Sequence, residues 1–129
     1  MARPGNPPGG VPLKSAVQAF TPGQSNQMNA NLFPVTAYPA DGAIAAAPGI
    51  AILSKAGVGA YTLAAPPADG IRLVCTSTTA NAHVITATGL LNDGLTGAPH
   101  NTFTFAAFPG ASVEFISYAG KWQEINHVP

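Results

Sequence analysis

Three histidines, one cysteine and five carboxylates are the residues through which this chain could do chemistry, and their spacing narrows the choice sharply. No two of His83, His100 and His127 lie three to five residues apart on one element, the spacing that zinc sites use. The three could still converge across a threefold axis to give a symmetric metal or proton site, but local hydrogen bonding is the simpler use of each imidazole. Asp41, Asp69, Asp93, Glu114 and Glu124 include no close pair, and Asp69-Gly70 and Asp93-Gly94 read as turns. Cys75 sits in the apolar run Ile71-Arg72-Leu73-Val74-Cys75, which suits a buried, inert thiol better than a nucleophile. As the only cysteine it can form no intramolecular disulfide. No glycine-rich phosphate loop precedes a helix. The expectation is a protein that is not an enzyme, with no catalytic residues, no cofactor and no metal.

What positions these side chains is best read at the end of the chain, in the stretch from Ser112 to His127. Two alternating runs, Val113 to Tyr118 and Lys121 to Ile125, flank Ala119-Gly120, the length of a two-residue hairpin loop. Tyr118 then faces Lys121, Ser117 faces Trp122, Ile116 faces Gln123, Phe115 faces Glu124 and Glu114 faces Ile125. One face carries Val113, Phe115 and Trp122 with Glu124; the other carries Ile116, Tyr118 and Ile125 with Glu114 and Lys121. Glu114 and Glu124 thus fall on opposite faces, a poor arrangement for an acid and base pair. Because neither face is cleanly wet or dry, the hairpin is expected to be covered on both sides, by its own core and by another copy of the chain.

Seven strands are predicted: Ile50 to Ser54, Tyr61 to Ala64, Ile71 to Thr76, His83 to Thr88, Thr102 to Ala107, Val113 to Tyr118 and Lys121 to His127. Proline, glycine and Asp-Gly turns punctuate them, no window has helical periodicity, and no internal repeat stands out. Ile71, Leu73 and Cys75 share one predicted core face, Phe103 and Phe105 another, and Ile50 and Ile52 a third. Seven or eight short strands indicate an all-β fold, a small antiparallel β-sandwich or barrel of jelly-roll type spanning residues 49–129. Residues 1–48 differ. They hold eight of the 13 prolines and only Arg3, Lys14 and Asp41 as charges, with Leu13, Val17, Phe20, Leu32, Phe33 and Tyr38 as apolar anchors. This composition suits an extended Pro/Gly-rich arm that lies along a protein surface.

Composition restricts the partners. Only 8% of the 129 residues are charged, against about 25% in ordinary soluble domains, and the formal net charge is zero. Nothing here attracts nucleic acid or an acidic membrane, and neutral surfaces of this kind tend to associate. The opening MARPGNPPGG holds no apolar segment of the kind a signal peptide needs, and the most apolar window, Ala43 to Leu53, is broken by Pro48-Gly49. A soluble protein made without a standard export signal is expected.

The order YTLAAPPADGIRLVCTSTTANAHVIT, then a glycine-rich connection, then TFTFAAFPGASVEFISYAGKWQEI, resembles a domain of tailed-phage structural proteins seen in capsid decoration (cement) proteins and in trimeric head-fibre or tail-fibre modules. The shared features are the Tyr-Thr-Leu strand and Asp-Gly turn of Tyr61 to Gly70, the Ser/Thr run before an alanine and histidine strand from Ser77 to Thr86, and the aromatic, small, Gly, basic, Trp pattern of Tyr118 to Trp122. This resemblance implies a homotrimer that cements the outer capsid at threefold or quasi-threefold positions against the pressure of packaged DNA, with the major capsid protein and itself as partners and the virion as its place. Phe103, Phe105, Phe115, Tyr118 and Trp122 are expected at the trimer interface, and the arm, through its apolar anchors, on the capsid. The alternative is a receptor-binding or fibre adhesion module, for which Trp122, Tyr118 and Tyr61 would form a sugar-stacking platform.

Overall fold

A computed structural model describes residues 33–95 and 97–128, the last three as backbone only. Nine strands follow one another: β1 (Val35–Tyr38), β2 (Gly42–Ile44), β3 (Gly49–Leu53), β4 (Ala60–Leu63), β5 (Arg72–Ser77), β6 (Val84–Asn92), β7 (His100–Thr104), β8 (Ser112–Tyr118) and β9 (Lys121–Val128). There is no helix among the described residues, and so none long and apolar enough to cross a membrane. All seven predicted strands are present. The two additional ones, β1 and β2, lie where the arm was expected, so the β-domain begins at Phe33 rather than at residue 49.

The pairing overturns the antiparallel jelly-roll expectation. One sheet has the order β1-β3-β5-β8-β9-β6-β4-β2, with β7 beside β6. β1, β3 and β5 are mutually parallel, as are β2, β4 and β6, so each early strand pairs with the next but one in the chain. Only Pro39, Ala40 and Asp41 separate β1 from β2, which stand at opposite ends of the sheet order. Connections that short require the sheet to curl until its two ends meet, giving a nearly closed, barrel-like coil. The sequence shows strands and turns but not which strand a turn leads to. Here the turns carry the chain to the facing wall instead of back along its own edge.

The predicted hairpin register is observed residue for residue, from Tyr118 opposite Lys121 to Glu114 opposite Ile125. Ala119 (φ 51°) and Gly120 (φ 77°) both take the left-handed conformation that such a turn demands. β8 closes onto β5 with an internal symmetry that corrects the reading of no repeat. Residues 70–77 correspond to 110–117: each segment starts at a glycine of positive φ and buries alternate residues as far as a serine. Gly70 N–H donates to Ser117 O (2.8 Å) and Gly110 N–H to Ser77 O (2.7 Å); Ser117 N–H and Ser77 N–H return bonds to Ile71 O and Ala111 O.

Leu53, Tyr61, Ile85, Leu91, Phe105, Phe115 and Trp122 fill the interior, each at most 1% exposed. Tyr61 is edge-on to Tyr38 and to His83, and Phe103 is edge-on to Phe105 and to Phe115, the geometry that aromatic quadrupoles favour. In β3 the interior takes Gly49, Ala51 and Leu53. Ile50 and Ile52, expected in the core, are half-buried and point the other way.

Candidate functional site

The corners of the coil carry most of the polar chemistry, and that chemistry is structural. Gly59 N–H donates to His83 Nδ1 (2.9 Å), which leaves the proton on Nε2, 2.9 Å from Thr79 Oγ1. Burial, and secondarily the Lys55 ammonium, pushes the His83 pKa down, so the ring is held neutral. A Cβ on Gly59 would collide with the Tyr61 ring and come 3.0 Å from His83 Nδ1, which makes glycine obligatory there. One corner earlier, Asp41 Oδ1 accepts from Ala60 N–H and from Lys55 Nζ, both at 2.9 Å, and these bonds lower its pKa. On the opposite side the hairpin pins the 64–70 corner. Trp122 Nε1–H donates to Ala64 O, Ser117 Oγ–H donates to Ala68 O while accepting from Ile71 N–H, and Ala119 N–H donates to Asp69 Oδ1.

The second polar cluster joins β7 to β9. His100 Nε2 lies 2.8 Å from Glu124 Oε2 and 3.7 Å from Asp93 Oδ2, and Asp93 lines a cleft of about 270 Å³ with Asn92, Gly94, Gly97, Ala98 and Gln123. The approach to Glu124 is close but off the line of a hydrogen bond. Among the described residues no group of three His, Cys, Asp or Glu side chains is arranged to hold a metal ion. Cys75 is fully buried, and desolvation pushes its thiol up to about 12, which removes it as a nucleophile at neutral pH.

What the fold does present is an outer sheet face. A continuous row crosses five strands, Val35–Ile50–Val74–Glu114–Ile125, between a row of Ala37–Ile52–Thr76–Ser112 and one of Arg72–Ile116–Gln123. These positions stand opposite to the core-facing ones and are half-buried or exposed, with Val35 64% and Ile125 38% exposed. Their charge is a single ion pair, Arg72 with Glu114, and the Arg72 guanidinium also lies 5.3 Å over the Phe33 ring. Seven of these twelve positions are apolar, which makes the face a candidate interaction surface.

The expected interface residues lie elsewhere. Phe103, Phe105, Phe115 and Trp122 are at most 6% exposed within the single chain, filling its own core and offering nothing to a sibling; Tyr118, 65% exposed, is the one that is presented. Of the expected docking residues, Phe33 sits under Arg72 and Tyr38 packs against the core, while Leu13, Val17, Phe20 and Leu32 lie outside the described residues, as does the side chain of His127. The outer residues Ile50, Ile52 and Val74 were missed as surface candidates. Their signal was the run Ile50-Ala51-Ile52-Leu53, which is apolar on both faces. No family model, no curated protein and no solved structure matches this chain.

Proposed function

We propose that this chain is a structural virion protein, a homotrimeric capsid decoration (cement) protein that binds the outer capsid surface at threefold or quasi-threefold positions and reinforces the shell against packaged DNA. The observation that carries this reading is the five-strand outer row, an apolar face with one ion pair on a chain of zero formal net charge. Such a face favours association, and many modest contacts repeated over a lattice add up through multivalency. The likeness of residues 61–125 to phage decoration modules points the same way. In this reading the outer face joins siblings, the major capsid protein is the partner, and the residues ahead of Phe33 supply the docking arm. The adhesion alternative needs an aromatic platform, but Tyr61 and Trp122 are core residues, leaving Tyr118 alone at the surface.

Light scattering of the purified chain should give the mass of three copies. Val35→Lys with Ile125→Lys should reduce it to one while leaving the strand circular dichroism unchanged. Shells mixed with the purified chain should take up copies in proportion to their capsid subunits. A compact single molecule with no affinity for shells would overturn the proposal, and uptake confined to a few vertices or the tail would transfer it to the adhesion alternative.

A further inference from the structure

The corner between β3 and β4 is tied down by two titratable acceptors on neighbouring amides. Gly59 N–H donates to His83 Nδ1 and Ala60 N–H to Asp41 Oδ1, each at 2.9 Å. One acceptor comes from the stretch between β5 and β6, the other from the turn between β1 and β2. Gly59 O in turn accepts from Val84 N–H (2.9 Å). Gly59 is itself buried, and its backbone covers the edge of the Tyr61 ring, which like His83 is at most 1% exposed.

The His83 ring can serve Gly59 only while it is neutral. With Nε2–H donated to Thr79 Oγ1 (2.9 Å), Nδ1 carries the lone pair that the Gly59 amide needs. A further proton lands on Nδ1 and sets donor against donor at a buried site. Neither partner of the ring is a carboxylate that could take up the charge. The charged and titratable groups that face it are the Lys55 ammonium on the corner, which repels an imidazolium, and Tyr61 on β4, whose hydroxyl is committed to Tyr38 O (2.7 Å). Its other neighbours, Thr79, Asn81 and Phe105, carry no charge. We propose that protonation of His83 releases the 55–60 corner as a local opening of the folded chain, an acid-operated flap hinged at Ala60. Asp41 supplies the hinge, because the bonds from Ala60 and Lys55 lower its pKa and keep it an ionised acceptor after His83 has let go. Opening uncovers the Tyr61 and His83 rings while the ladder between β5 and β8 stays intact. The open form has the ordinary imidazole value of 6.5 and the closed form a lower one, so opening takes up a proton. The opening constant is therefore flat above that value and rises below it, by at most about tenfold per pH unit, until the closed form itself titrates. This inference does not depend on the virion reading.

The test is amide hydrogen exchange of the full native chain, resolved by residue with NMR and corrected for the intrinsic pH dependence of exchange, from about pH 7.5 to about pH 5. Protection of the Gly59 and Val84 amides should hold down to about pH 6.5 and then fall by up to about tenfold per unit, while protection in β5 and β8 stays constant. The ring nitrogen signals of His83 should place the proton on Nε2 at neutral pH and titrate only below the ordinary imidazole value. His83→Asn offers Gly59 a side-chain carbonyl that does not titrate, so its corner should keep one level of protection across the range. Unchanging protection of Gly59 and Val84 in the native chain, a loss in step with β5 and β8, or the same slope in His83→Asn would each overturn the proposal. The first two outcomes are read on the native chain and decide the matter even where His83→Asn fails to fold.

Discussion

His100 Nε2 stands 2.8 Å from Glu124 Oε2, and this contact lets a carboxylate whose side chain is only 2% exposed share the dry face of the closing hairpin with Val113, Phe115 and Trp122. The mixed face that suggested a covering sibling is thus accounted for inside one chain. Removing the imidazole with His100→Ala should destabilise the fold by about 2 to 3 kcal/mol, because a nearly buried carboxylate loses a polar neighbour. Replacing both members, His100→Leu with Glu124→Leu, should cost within about 1 kcal/mol. Urea unfolding of the two variants checks this; equal losses in both would show that the His100–Glu124 contact is not what matters at this site.

His83 makes stability depend on pH in a definite sense. Its pKa is lowered in the folded state by burial first and Lys55 second, so the unfolded chain takes up this proton at the higher pH. The contribution is full above the ordinary value of 6.5 and is lost as pH falls through 6.5 toward the lowered folded value, with a limiting slope of about 1.4 kcal/mol per pH unit. Comparing urea midpoints of the native chain and His83→Asn from about pH 8 to about pH 5 isolates it. The variant should start lower and slope less.

Ala119 occupies the left-handed region at φ 51°, where a Cβ is costly. Ala119→Asn keeps the backbone bond to Asp69 and should raise stability by about 0.5 kcal/mol, whereas Ala119→Val should lower it by about 1 kcal/mol or more. Thermal midpoints moving in opposite directions are the expected readout.

Trp122 and Tyr118 lie on one hairpin with opposite fates. Trp122→Ala removes a fully buried indole and its 2.9 Å bond to Ala64 O, so a loss of about 3 to 5 kcal/mol is expected. Tyr118→Ala, at an exposed position, should stay within about 0.5 kcal/mol in the same denaturation experiment.

Local structure was legible because its signals are local. The seven strands, the two-residue turn and the pairing of β8 with β9 follow from alternation and loop length within a few residues. The parallel ladders were not, since whether the chain after Leu53 returns beside β3 or crosses to the other wall depends on contacts such as Lys55 with Asp41 and Gly59 with His83, far apart in sequence. β1 and β2 were hidden by Pro34, Pro39 and Pro48, which bound short strands instead of preventing them. The aromatic interface was misassigned for a similar reason. A large ring on an alternating strand looks the same in sequence whether it meets its own core or a neighbour, and only the curl of the sheet brings Phe115 and Trp122 inward.

The clasp that the hairpin places on the 64–70 corner has a bearing on biosynthesis. Ser117 grips Ala68 and Trp122 grips Ala64 across separations of 49 and 58 residues. A chain emerging from the ribosome could wind its first loops in order, yet the fastening that secures this corner is made 49 to 58 residues after it. Maturation would therefore come as one snap once the hairpin is out, and polypeptides cut short before it would unwind.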